Sequence, residues 1–355
     1  MPDSFIAIGP GHATGLPGLP KLASYLGHVA MAEVGFHASH ELCAPDELLR
    51  LLAMAERAGF TLGMCSDHFH PWSPSDQCCG NSFSWLGAAL QATRLTLGTI
   101  CCPLYRYHPA VIAQIAATCA VMFPDRFWIA FGTGEALNEV VALKNWPEKA
   151  ERQRKLQAAA ACIRQLWAGK TVADEPFAGI GFAQLSLRPA HAPLLLAAAT
   201  TAETAAWAAS WADGLLTASA EPNALAEVIA AFRANGGSGR PIFAQAAVSY
   251  DRDEERAWEF ARRNWSIAAL PAPALQDLRT PQAFAVATAG ITVEDLRGKL
   301  RASSDLGQHR AWIEGDFEQG VDAVFLHHVG PDIKRFIDAF AESVLPAVSG
   351  RRTFT

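Results

Sequence analysis

Two short peptides hold the residue types that could do chemistry: Ser66-Asp67-His68-Phe69-His70-Pro71-Trp72 and Gly132-Thr133-Gly134-Glu135-Ala136-Leu137-Asn138-Glu139. The first sets a carboxylate, an imidazole and an indole close together. The second is a Gly-rich turn with a carboxylate where a new helix starts. An imidazole trades a proton near neutral pH, and a carboxyl group can be tuned to do the same. His68 and Glu135 are therefore a candidate acid/base pair if the fold brings them to one pocket. Each has a plainer reading: His68 as a strand-end cap, Glu135 as an acid at the positive end of a helix. Asp67 can fix its own turn, Trp72 can be a packing wall, and Glu139 reads as structural. A metal pair at His68-x-His70 would need further histidines after the fifth and sixth strands and an aspartate after the eighth. Those strands end in Ala/Thr and in His327-His328, so no metal is expected. The two adjacent histidines alternate across a strand, so at most one faces a barrel mouth.

These peptides need elements to position them. Short apolar runs without alternation fall at 33–36, 61–65, 95–100, 127–131, 193–199, 214–217, 241–248 and 321–327, separated by periodic segments at 45–58, 83–92, 108–122, 150–167, 202–211, 223–234, 254–264 and 332–344. Strands of that kind are buried on both faces of a parallel sheet. Eight strand–helix units predict a closed (β/α)8 TIM barrel. No G-x-G-x-x-G follows the first strand, which argues against a dinucleotide fold. Barrel enzymes keep their chemistry at the carboxyl ends of the strands, where both peptides lie. The stretch 271–310 is too long for a connection and reads as an inserted helical segment before strand eight that would cap the barrel mouth. A single domain is expected over 31–350, with 1–30 as a flexible extension.

Composition bounds the function. Of 355 residues 50% are hydrophobic and 18% charged, enough for a large core. A net charge of -6 speaks against a nucleic-acid or anionic-membrane surface. No apolar run suits a membrane span, and residues 1–30 lack the basic and apolar regions of a signal peptide. The eight cysteines have no disulfide-framework spacing and read as reduced thiols of a cytoplasmic protein.

The two peptides, together with Arg106-Tyr107-His108-Pro109-Ala110 and Ile112-Ala113-Gln114, resemble the bacterial-luciferase-like superfamily of flavin and deazaflavin oxidoreductases. The nearest branch is that of the deazaflavin-dependent glucose-6-phosphate dehydrogenases; 41–47, 83–85 and 325–330 add weaker support. The resemblance implies that His68 and Glu135 act as acid and base. It implies that Asp67, Thr133, Gly134 and Asn138 hold the coenzyme and that Trp72 lies beside the reacting carbon. Thr99, Ile100 and Cys101 would form a strained backbone bulge behind the ring, and Thr217 would contact substrate.

Two departures from that branch shape the expected substrate and cofactor. The lysines that would clamp a sugar phosphate fall at Ala220 and Val286, and no lysine lies between Lys170 and Lys299. A buried phosphate needs ionised partners, so a small non-phosphorylated substrate is expected. The Gly-Gly after the fifth strand is replaced by Ala199-Thr200-Thr201-Ala202-Glu203-Thr204. That turn resembles the one on which luciferase-type enzymes hold a phosphate, with Thr200, Thr201 and Thr204 as contacts. His37-Ala38-Ser39-His40-Glu41 and Asp305-Leu306-Gly307-Gln308-His309 also point to a sister group of flavin oxidoreductases that do not use deazaflavin. The expected protein is thus an FMN-dependent oxidoreductase, with coenzyme F-420 as the alternative cofactor. An F-420-dependent alcohol dehydrogenase and a non-catalytic flavin-binding relative are the alternative functions. The resemblance suggests a homodimer; no nucleic-acid or membrane partner is expected.

Overall fold

The computed structural model describes residues 32–74 and 78–348. The extension expected at 1–30, and the last residues of the expected domain, lie outside the described residues. The strands are β1 (Glu33–Ala38), β2 (Leu62–Ser66), β3 (Thr96–Cys101), β4 (Phe127–Phe131), β5 (Val172–Glu175), β6 (Ile180–Ala183), β7 (Leu194–Ala198), β8 (Gly214–Ala218), β9 (Ile242–Tyr250), β10 (Arg301–Ser303) and β11 (Ala323–His328). Eight of them run β9-β11-β1-β2-β3-β4-β7-β8, and β8 pairs back onto β9 in parallel, closing the ring. These eight are the strands expected from the sequence.

The helices are α1 (Pro45–Arg57), α2 (Ser82–Ala92), α3 (Pro109–Met122), α4 (Ala136–Glu139), α5 (Lys149–Trp167), α6 (Ala202–Ala208) and α7 (Pro222–Phe232). After them come α8 (Glu254–Trp265), α9 (Ala272–Asp277), α10 (Pro281–Thr288), α11 (Val293–Leu296), α12 (Leu306–Glu318), α13 (Ile333–Ser343) and α14 (Leu345–Val348). Local chemistry starts and stops them. In α1, Pro45 opens the first turn, Asp46 and Glu47 face the positive end of the dipole, and Arg57 sits in the last turn. Its Leu48, Leu51, Leu52 and Ala55 form the buried stripe against the barrel.

The barrel interior is filled below the site. Trp128, Phe243 and Phe325 meet ring to ring, with centroids 5.4, 5.4 and 5.7 Å apart. Two glycines make room for them. A Cβ at Gly98 would stand 2.0 Å from Trp128, and one at Gly35 would stand 2.4 Å from Phe325. The lower half of the barrel is thus a packed plug, not a pore.

Three features differ from the sequence expectation. The hairpin β5–β6 was not foreseen; it is short and carries exposed Phe177 and Phe182, so it lacks a core-facing pattern. The insertion is shifted: α8 packs with α11 and β10 through Trp258, Ala261, Leu296 and Ala302, so the inserted unit begins earlier. It also ends earlier, because α12 sends Ile313 and Phe317 into the main core and serves as the barrel helix before β11. No bulge interrupts β3: Leu97 to Cys101 pair in unbroken register with Phe127 to Phe131, and no described peptide is cis.

Candidate active site

Inward-facing side chains at the carboxyl ends of the strands surround a cavity of about 580 Å³. His68 follows β2, and Glu135 is the residue before α4, which follows β4; both line it. The pocket therefore unites the two peptides.

His68 has a partner on the neighbouring strand. Its Nδ1 lies 3.1 Å from Oε1 of Glu41, which follows β1. That nitrogen is shut off from solvent, so Nε2 is the one left for the cavity. The Ser39 hydroxyl donates to the other Glu41 oxygen at 2.7 Å. Burial opposes ionisation of Glu41, but His68, Ser39 and His327 outweigh it and hold the carboxyl below its usual range. Glu135 is driven the other way: burial, then the nearby Glu41 and Glu139, push its pKa up against the pull of His68. One carboxyl held as an anion and one made easier to protonate thus share the cavity with the imidazole.

Arg106 explains why its motif accompanies the other two. Its guanidinium lies 2.6 Å from Asp67 and 3.5 Å from Glu139, tying the loop after β2 to the helix after β4. Asp67 also accepts hydrogen bonds from Ser82 at 2.7 Å and Tyr107 at 3.3 Å. Asn138 bonds the same two loops, accepting from the backbone N–H of Phe69 at 2.8 Å and of His70 at 3.2 Å. Its amide also reaches Glu135 at 3.4 Å. Asp67 and Asn138 both line the cavity, yet their polar atoms chiefly hold the loops in place. Gly134 has φ +82, and a Cβ there would stand 2.9 Å from both Cys102 and Glu139. Only glycine fits that turn.

The other expected site residues are distributed as follows. Trp72 sits edge-on to His68 at 5.1 Å and to Phe284 of the insertion at 5.0 Å. Trp265, Ala272 and Pro273 of the inserted unit line the cavity, so the insertion covers the mouth as expected. Ile100, Cys101, Thr133, Thr200, Thr201, Thr204 and Thr217 line it too. Thr99 does not; its hydroxyl donates to the Cys65 carbonyl at 3.1 Å. Of the adjacent histidines, His327 reaches the cavity, while His328 stacks on Phe336 at 4.6 Å under the helix layer. Glu41 is one of the site residues that sequence reasoning missed; His37, Gln245 and Lys149 line the cavity as well. The signal for Glu41 was a carboxylate just after the strand adjoining that of His68.

Among the described residues, Lys149 and Arg152 of α5 are the only lysine and arginine on the cavity wall. Neither Ala220 nor Val286 lines it, and Val286 is 80% exposed to solvent.

The luciferase-like monooxygenase family model matches residues 25–324. The chain belongs to the luciferase-like monooxygenase family. It is an oxidoreductase of that family on a TIM barrel. It is 32% identical to the F-420-dependent glucose-6-phosphate dehydrogenase of Microbacterium testaceum, over 89% of this chain and 97% of that one. A second such dehydrogenase, from Beutenbergia cavernae, is 31% identical over 90% and 98%. Among solved structures, an F-420-dependent secondary alcohol dehydrogenase in complex with an F-420–acetone adduct superposes with a TM-score of 0.82 at 30% identity, covering 89% of this luciferase-like chain and 99% of that one.

These relatives are named for coenzyme F-420 and not for FMN, which removes the support for FMN as the favoured cofactor. The physical reason is visible in the turn that suggested it. The Thr201 hydroxyl donates to that of Thr204 at 2.9 Å and accepts from the Thr204 N–H at 3.3 Å, capping α6. A threonine cap of this kind serves the helix whichever phosphate lies nearby.

Proposed function

We propose that this protein is an F-420-dependent oxidoreductase that interconverts a small, non-phosphorylated alcohol and its carbonyl compound. The observation that carries the reading is the Glu41–His68 contact, with Nε2 left open to a cavity that Glu135 also lines. The named cofactor of the relatives near 30% identity supports the choice of F-420 over FMN.

The cavity wall fits a flat ring with a phosphorylated tail. Gly132, Ala198 and Ala218, at the ends of β4, β7 and β8, are small residues of the cavity wall and, with Ile100 near the end of β3, would leave room for the ring. Thr200, Thr201, Thr204 and Lys149 line the same cavity and would hold the tail. When bound, F-420 supplies a two-electron hydride acceptor or donor. In the oxidative direction His68 takes the hydroxyl proton at Nε2 as the carbinol hydrogen leaves as hydride, giving the carbonyl. Glu41 orients the imidazole and stabilises the imidazolium that results. Glu135 keeps a protonatable carboxyl at the same end of the cavity. Asp67, Arg106 and Asn138 fix the loops that carry both groups. Trp72 and the insertion exclude water.

The cytoplasm and a homodimer remain the expected setting; no described helix is long and apolar enough to cross a membrane. The test is direct. The purified protein should bind F-420 more tightly than FMN in a fluorescence titration, and propan-2-ol should bleach the oxidised coenzyme while glucose 6-phosphate should not. Tighter binding of FMN, or turnover of the sugar phosphate alone, rejects the reading.

A further inference from the structure

The cavity floor has two unlike halves. Inward positions on β3, β4, β7 and β8 hold Ile100, Gly132, Ala198 and Ala218; those on β9, β11, β1 and β2 hold Gln245, His327, His37 and Ser66. The pleat confirms the facing. Phe243 and Phe325 lie in the interior plug, so Gln245 and His327, two residues further along the same strands, point the same way. Gln245 and Ala218 are register partners on neighbouring strands, so the change from polar to small apolar falls at the β8–β9 seam.

The polar half is a connected chain. Nε2 of His37 lies 3.3 Å from the Ser66 hydroxyl, the His37 and His327 rings stand 4.3 Å apart, and Nδ1 of His327 lies 3.3 Å from the Gln245 amide. Burial lowers the pKa of both imidazoles, His327 to about 4, so near neutral pH the chain carries no charge. His327 is held in place by Trp265, edge-on at 4.4 Å. Each carboxamide has two heteroatoms. His327 engages one of Gln245's, and among the described residues the other has no protein partner. His37 Nδ1 and His327 Nε2 are also buried without partners. A half-satisfied polar network is costly unless something completes it.

We propose that Gln245, positioned by the His37–His327 pair, forms an uncharged subsite that holds a second oxygen of the substrate, beyond the one His68 serves. The substrate class is then a small neutral diol or hydroxyketone. Glu41, which follows β1, borders this half of the cavity and would repel a carboxylate or phosphate. The assignment of the reacting oxygen rests on the function proposed above; the subsite itself rests on the floor.

The experiment compares propane-1,2-diol with propan-2-ol as probes, by saturation-transfer NMR on the purified protein with and without F-420. The diol should bind more tightly. Gln245→Met keeps the length of the side chain and removes its polar atoms; it should cut the diol preference about fivefold, the worth of one neutral hydrogen bond. It should leave propan-2-ol and F-420 affinities unchanged. Gln245→Asn, which keeps a carboxamide, should retain part of the preference, and Ser66→Ala should weaken it less than Gln245→Met. Equal binding of the two probes, no diol binding, or a preference untouched in Gln245→Met overturns the subsite. So does a loss of F-420 affinity in that variant, which would assign the floor to the coenzyme. A diol preference that follows Gln245 without any bleaching of F-420 would uphold the subsite and sink the hydride-transfer reading instead.

Discussion

Replacing Glu41 by glutamine separates a carboxylate that tunes His68 from one that merely fills space. The change keeps the size of the side chain and lets Ser39 still donate to an oxygen. It removes the negative charge 3.1 Å from Nδ1 of His68. A contact with a charged partner at this distance is worth about 1.5–3 kcal/mol. The carboxylate orients the ring through Nδ1, so its loss leaves the imidazole less well placed towards the cavity. The glutamine can also turn its amide to Nδ1, which would place the ring proton on Nε2, where a base needs a lone pair. Alcohol oxidation should therefore fall by about 10–100-fold at its plateau. Stopped-flow bleaching of F-420 measures the fall. The F-420 dissociation constant should not move. An unchanged plateau would refute the assignment of Glu41 to His68.

Arg106→Met strands two buried carboxylates, since the guanidinium bridges Asp67 and Glu139 with only 9% of its side chain exposed; the loss should be about 3–5 kcal/mol in urea unfolding, and wild-type stability would show the bridge to be idle. Gly98→Ala drives a Cβ to within 2.0 Å of the Trp128 ring and should cost at least about 1–3 kcal/mol; a melting temperature equal to the parent's would mean the plug is loose. Acid should destabilise the fold early. His309 and His327 are buried with pKa values lowered to about 4 from 6.5, so the unfolded chain binds more protons as pH falls from about 6.5 towards 4. Stability is full above that window and should drop by about 3 kcal/mol for the two together between pH 6.5 and 5. Denaturant titrations that superimpose at pH 7 and pH 5 would contradict this.

Much of this architecture was legible in the chain because a buried parallel strand is a short apolar run with an obvious end. The eight barrel strands and the placing of His68 and Glu135 at strand ends follow from that signal alone. Glu41 was harder, because its partnership with His68 depends on β1 lying beside β2, a contact across 27 residues of sequence. The limits of the insertion were misplaced because α8 and α12 are both plausible barrel helices by composition. Only packing shows that Trp258 and Ala261 face the inserted unit while Ile313 and Phe317 face the core. The preference for FMN over F-420 rested on a weak local signal: Thr201 and Thr204 satisfy each other at the start of α6, so their hydroxyls carry little information about the ligand. Asp67 and Asn138 look like ligand contacts by position, but most of their bonding capacity goes to the loops beside them.

The plug of Trp128, Phe243 and Phe325 also sets the traffic through this protein. With the amino-terminal end of the barrel filled by packed rings, the cavity has a floor and its mouth lies under the inserted unit. In the proposed function coenzyme and substrate both enter from the mouth, past Trp265, Ala272 and Pro273. Two guests that use the same door form a queue. The one seated against the far wall is the first to enter and the last to leave, and its product can be trapped behind a late arrival. Kinetics under such a rule are ordered, with inhibition by excess of the reactant that stands nearest the door.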